Sequence, residues 1–222
     1  MATKILKSIK GKTVRLTRLD ACGAVVESSC TTLVSDCFIS VTMTGEYEAG
    51  DEFIQKNAWG ELCINDKDPD VLKRVSVAIQ FAEINPDALD IIAEANPVIV
   101  GGDTVGATFG TEANGSSFAL EVWTKRTGVD CTVPGTQEWG YFIVPFIRNG
   151  KIDGDITIEN GTLTLGLMGD AFAASANWGQ GPYTPNPFGT TFPTGDIFGM
   201  VVTTEQPPTD TAGCVPYVVP TP

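Results

Sequence analysis

The sequence predicts a mainly β protein with a single helix, and three observations carry that expectation. Alternation of apolar and polar residues with a period of two runs through most of the chain. Two Asn-Gly pairs, each flanked by strand-forming residues, mark tight turns. Only one stretch carries helix-capping signals at both ends.

The strand signals begin at TVRLTRL (13–19), followed by CFISVTM (37–43) and EFIQKNA (52–58). In RVSVAIQFAEI (74–84), Val75, Val77, Ile79 and Phe81 share one face and predict a half-buried strand. SFALEVWTK (117–125) and IFGMVVTTE (197–205) repeat the pattern. The stretch 141–167 contains Asn149-Gly150 and Asn160-Gly161, and reads as three strands in a meander. Its first strand, YFIVPFI, is apolar on both faces; it belongs in the core or beneath a partner subunit, and Pro145 favours an edge or a bulge.

The helix is expected at about 86–95. Asn85 can cap it, Pro86 suits the first helical position, Asp87 complements the dipole, and Pro97 stops it. Ala88, Leu89, Ile92 and Ala93 form the stripe that faces a sheet. The glycine-rich VGGDTVGATFG (100–110) reads as a strand connection. A long loop is expected at about 175–195. Nine of the fourteen prolines fall in the last 41 residues, so 206–222 is expected to be a tail with little reason to fold alone, able to lie extended on a neighbour.

Net charge is −13, unevenly spread. Residues 1–18 hold six Lys and Arg and no acid, whereas the rest carries 8 basic and 27 acidic side chains. A body that acidic repels a phosphate backbone, so nucleic-acid binding is not expected. The basic segment, with Lys4, Lys7 and Lys10, is expected either to contact acidic surface on an adjacent subunit or to remain a solvated end. No apolar run approaches the roughly 20 residues of a membrane helix, and the N-terminus lacks the pattern of a secretory signal. Synthesis and first use in a cytoplasm are therefore expected.

The chain has no histidine, which removes the usual Ser/His and Cys/His nucleophile arrangements. Phosphate-binding glycine motifs are missing too. Paired carboxylates as in glycosidases are too common here to be informative. Asp66, Asp68 and Asp70 open an EF-hand-like pattern, but Val71 and Val77 stand where glycine and glutamate belong, leaving a weak calcium turn. Among six cysteines, Cys22 and Cys30 could close a short disulfide loop; otherwise the thiols stay reduced and buried. No cofactor is expected. The segment GEYEAGDEF (45–53) concentrates Glu46, Glu48, Asp51 and Glu52 with no cation nearer in sequence than Lys56.

The order DACG, EYEAGDE, KNAWGELC, INPDALDII, FALEVWT, GYFIVPF, GDITIENGTLTLGL and NWGQGPY, over roughly 11–205, resembles the major tail tube proteins of long-tailed phages of actinobacteria. The chain departs from that pattern in a longer 184–195 loop and the Pro-rich end. The resemblance implies a tail-tube β-sandwich with a flanking helix. Six copies would form a ring, and stacked rings a tube whose subunits share a continuous inner β-barrel. It implies partners as well: a tape-measure protein, tail tip and terminator proteins, and DNA that passes without specific binding. It implies residence in the virion and no active site. On that footing Glu46, Glu48, Asp51 and Glu52 are expected at the lumen or between rings. Trp59 is expected at a hairpin turn, Asn57 to Gly60, and Phe142, Val144 and Phe146 at subunit contacts. The readings from other classes are a terminator or neck ring and a carbohydrate-binding module using Trp59, Trp123, Trp139 and Trp178.

Overall fold

The structure, a computed structural model, describes residues 9–111, 115–126, 137–154, 157–159, 162–173 and 192–217. It is mainly β with one helix. The chain begins with β1 (Ile9–Leu19), β2 (Thr32–Ser35), β3 (Phe38–Glu48), β4 (Glu52–Lys56), β5 (Leu62–Lys67) and β6 (Val71–Phe81). Helix α1 (Pro86–Ala93) precedes β7 (Asn96–Val100), β8 (Asp103–Thr108), β9 (Ser117–Arg126) and β10 (Trp139–Ile152). The last strands are β11 (Thr157–Glu159), β12 (Thr162–Ala171) and β13 (Gly199–Thr203).

One antiparallel sheet runs β2-β1-β9-β10-β12-β6-β3, with β11 paired to β12 and β13 to β10. It curls until Gly11 of β1 lies against the ring of Phe38 on β3, where an added Cβ would push that ring aside. Its two halves thus face each other across a core built from Leu16, Leu33, Val77, Ile79, Leu120 and Leu167. Helix α1 closes this core through Leu89 and Ile92. Asn85 caps it by accepting from the Asp87 N–H at 2.9 Å. Glu94, in the left-handed region, ends the helix two residues before β7, so Pro97 lies in a strand beyond a stop already made.

The far face of β9 and β10 carries a second apolar cluster, including Leu19, Trp123, Tyr141, Ile143 and Phe146. That explains YFIVPFI, which this chain itself covers on both faces. Pro145 sits where the β9–β10 register slips, the bulge that its missing N–H favours.

The expected meander is instead one interrupted hairpin. β10 pairs with β12 at Ile147–Ala171, and β11 continues the same line to Glu159 opposite Thr162. Asn149 makes no turn; its φ of 57° serves a bulge between Arg148 and Lys151. Gly150 is needed there because a Cβ would overlap the Ile92 carbonyl at the end of α1. Asn160-Gly161 and most of the 175–195 loop lie outside the described residues.

The strand expected at 13–19 is present and starts earlier, at Ile9, so the described part of the basic segment belongs to an inner strand of the sheet. Three of its cations are matched internally: Lys12 by Asp36 at 3.5 Å, Arg15 by Glu121 at 2.6 Å and Arg18 by Asp90 at 2.5 Å. The C-terminal segment is fastened to β2. Val215 exchanges backbone hydrogen bonds with Thr32, 2.9 and 2.8 Å, and Thr211 N–H donates to the Val34 carbonyl.

The same strap corrects the cysteine expectation. Cys30 is bonded to Cys214, not to Cys22. The two come together only because the strap returns along β2, which no local spacing reveals. Cys22, Cys37 and Cys63 are free and exposed rather than buried; Cys131 lies outside the described residues.

Candidate functional site

From Phe38 to Phe81 the chain forms a single long hairpin. β3 and β6 pair out to Glu48–Val71, and β4 and β5 carry the ladder on from Glu52–Lys67. Its inner part belongs to the main sheet, while β4–β5 stands clear of the body with every residue exposed.

The acidic segment lies at the junction of these two parts. Cross-strand pairing supplies the cations that the local sequence lacks. Glu46 stands opposite Arg74, and the guanidinium donates to its carboxylate at 2.6 Å. Glu48 lies 3.7 Å from Lys73. The hydrogen bond to Glu46, with the charges of Asp170 and Glu46, raises the Arg74 pKa above its ordinary value. The expectation of an uncompensated cluster is therefore corrected for Glu46 and Glu48. Among the described residues Asp51 and Glu52 have no ion-pair partner.

Asp66, Asp68 and Asp70 do not converge. Asp66 is paired in β5 opposite Phe53, and the Asp68 N–H donates to the Asp51 carbonyl at 2.9 Å. Asp70 accepts from the Gly50 N–H at 3.1 Å and faces Lys67 at 3.1 Å. These contacts, the Gly50 bond first, hold its carboxyl below the ordinary aspartate range. Gly50 must be glycine, since a Cβ would overlap the Asp68 backbone. The calcium turn is thus a structural junction: among the described residues these three carboxylates are not gathered within reach of one ion.

At the tip, Asn57 Oδ1 accepts from the backbone N–H of Trp59 and of Glu61, at 3.0 and 2.9 Å. Gly60 adopts φ 84° and its N–H reaches the Asn57 carbonyl. This fixes the turn expected from KNAWGELC and leaves Trp59 91% exposed. Register puts Phe53 and Ile64 on one face of β4–β5 and, across the irregularity between Gln55 and Lys56, Ile54 and Leu62 on the other, all roughly half exposed.

A second exposed hairpin, β7–β8, runs into the glycine-rich stretch 100–110 where a strand connection is expected. Gly101 and Gly102 make its turn with φ 67° and 102°. Ile99, Val100, Val105 and, just beyond it, Phe109 are exposed. The alternating β signal at 96–108 is short and interrupted by glycine, which hid it. An apolar cleft of about 420 Å³ also opens between β3 and β9–β10, lined by Phe38, Val41, Met43, Val122 and Phe142.

The residues expected at subunit contacts divide accordingly. Val144 is fully buried in the main core and Phe146 nearly so in the second cluster, so neither reaches a neighbour. Phe142 is half-buried at the cleft. Lys10 is exposed opposite Lys125, and Lys4 and Lys7 lie outside the described residues. A glycan platform finds little support: Trp123 is completely buried, Trp139 is half-buried, and Trp178 lies outside the described residues.

Among the described residues no helix is long and apolar enough to cross a membrane. No family model matches the chain, and no curated protein matches it.

Proposed function

We propose that this chain is a structural virion protein, the major tail tube subunit of a long-tailed phage of the family it resembles. Six copies form a ring, and rings stack around the tape-measure protein between tail tip and terminator. The finished tube conducts DNA past an acidic lumen without binding it. Assembly takes place in the host cytoplasm, and no catalytic role belongs to this reading.

The observation that carries it is the β4–β5 hairpin, which leaves Phe53, Leu62, Ile64 and Trp59 exposed on a projecting two-stranded ribbon. Two strands alone are marginally stable in water, and exposed strand edges invite further pairing. Covering each half-exposed apolar side chain gains on the order of 1 kcal/mol. One such patch is weak against an association cost of about 4–15 kcal/mol. Repeated contacts around a ring and between rings add avidity to the same patch.

Negative-stain microscopy of the purified full chain tests the proposal. Open-ended tubes are the expected result. Discrete single rings indicate a terminator or neck protein, and dispersed monomers with glycan affinity overturn the assembly reading altogether.

A further inference from the structure

Cys30, Cys214 and Asp87 place two sulfurs and a carboxylate oxygen all within 4.8 Å of one another. Asp90 Oδ2, one turn along α1 from Asp87, lies 4.0 Å from the Cys30 sulfur. The group is half-buried on the wall of a polar cleft of about 420 Å³, also lined by Arg18, Ser28 and Thr104. In the structure the two cysteines are joined as a disulfide.

Hydrogen bonds besides that bond hold the two segments together. Thr31 and Thr32 N–H both donate to the Val215 carbonyl, at 3.1 and 2.9 Å, and Val215 N–H returns to Thr32 at 2.8 Å. The Cys214 N–H donates to Asp87 Oδ2 at 2.9 Å. These contacts pin the strap to β2 and to α1 on either side of the sulfur. With these contacts kept, reduction of the disulfide would leave two thiols and two carboxylates gathered at one place.

We propose that the reduced pair is a binding site for a zinc-type divalent cation, with Cys30, Cys214 and Asp87 as ligands and Asp90 or water as the fourth. Zinc takes sulfur ligands at about 2.3 Å and carboxylate oxygens at about 2.0–2.2 Å, with four donors in a tetrahedron. Ligand atoms in such a tetrahedron stand about 3.5–3.8 Å apart, so the sulfurs must move apart from bonding distance while the carboxylate closes in slightly. Two thiolates and two carboxylates exceed the charge of one divalent ion. Arg18, 2.5 Å from Asp90, supplies a further positive charge at the rim. The site alternates between two states: a disulfide under oxidising conditions and a metal thiolate under reducing ones. This inference stands apart from the tail-tube reading and holds whether or not the chain forms tubes.

The reaction balances with a phosphine as reductant. The phosphine and one water convert the disulfide to two thiols and leave phosphine oxide. Zinc binding then releases the two thiol protons to solvent.

The test uses full-length protein in which Cys22, Cys37, Cys63 and Cys131 are replaced by serine, so that only this pair remains. After phosphine reduction, it is expected to bind one zinc ion per chain in a metal titration. Cobalt in place of zinc is expected to produce the near-ultraviolet absorption of a thiolate-bound ion. The unreduced protein should bind neither, and Asp87→Asn, which keeps an acceptor for the Cys214 N–H, should weaken binding by at least about 10-fold. Absence of zinc uptake by the reduced protein, or cobalt binding without the thiolate absorption, overturns the proposal. The spectrum is read on a chain with both site cysteines intact, so the result does not hinge on a variant that misfolds.

Discussion

Arg15 on β1 and Glu121 on β9 stand opposite each other in register and form a two-point ion pair inside the protein, at 2.6 and 2.7 Å. The Tyr141 hydroxyl donates to the same carboxylate at 2.5 Å, and the guanidinium lies over the Trp123 ring. Glu121 is completely buried. Desolvating such a pair is costly, and removing one partner is costlier, because the other charge is stranded. Arg15→Met is therefore expected to cost about 3–5 kcal/mol. Replacing both, Arg15→Met with Glu121→Leu, should recover most of that loss. Urea denaturation of the two variants measures the difference, and equal losses would refute the pairing argument.

The hairpin tip separates folding from assembly. Trp59 touches little of its own chain, so Trp59→Ala should change stability by no more than about 0.5 kcal/mol. The same substitution, alone or with Ile64→Asp, is expected to abolish or sharply reduce higher-order assembly in sedimentation velocity. Normal assembly by the double variant would remove the hairpin from the interface.

The four junction acids are expected to fall into two pairs. Glu46→Gln with Glu48→Gln loses the cross-strand partners of Arg74 and Lys73, exposed pairs worth about 0.2–1 kcal/mol each. Asp51→Asn with Glu52→Gln should leave the fold unchanged, since neither has an ion-pair partner among the described residues. If the second pair faces the bore, tubes form normally but genome ejection from particles carrying the variant slows. Failure to polymerise would instead assign those acids to the contact between rings.

Asp70 gives the junction a pH dependence of known sign. Its carboxyl is held below the ordinary range by the Gly50 N–H and Lys67. The contribution is therefore complete above the ordinary aspartate value and is lost as pH falls through the lowered one. Amide exchange at Gly50 should accelerate across that acid window in the wild type, beyond the intrinsic trend. In Asp70→Asn that acid-dependent step should be missing.

How far the sequence could be read depended on the range of the interactions involved. Asn85, Pro86 and Asp87 announce the start of α1 because capping is local. Asn57 and Gly60 likewise announce the β4–β5 turn. Asn149-Gly150 carried the same local signal as a hairpin, yet it makes a bulge. The Ile92 carbonyl at the end of α1 requires a glycine there, and that requirement arrives from 58 residues away.

The sequence by itself determined the alternation that makes strands, the cap that starts the one helix, the turn that presents Trp59, and the lack of any histidine. Tertiary structure decided which charges are neutralised, which apolar strand is covered, and which cysteines meet. Glu46 gained Arg74 across the ladder, YFIVPFI gained a cluster on each face, and Cys30 gained Cys214 from a strap 184 residues away. Strand propensity and capping act over a few residues, whereas charge pairing, burial and disulfides depend on which distant segments the sheet brings side by side.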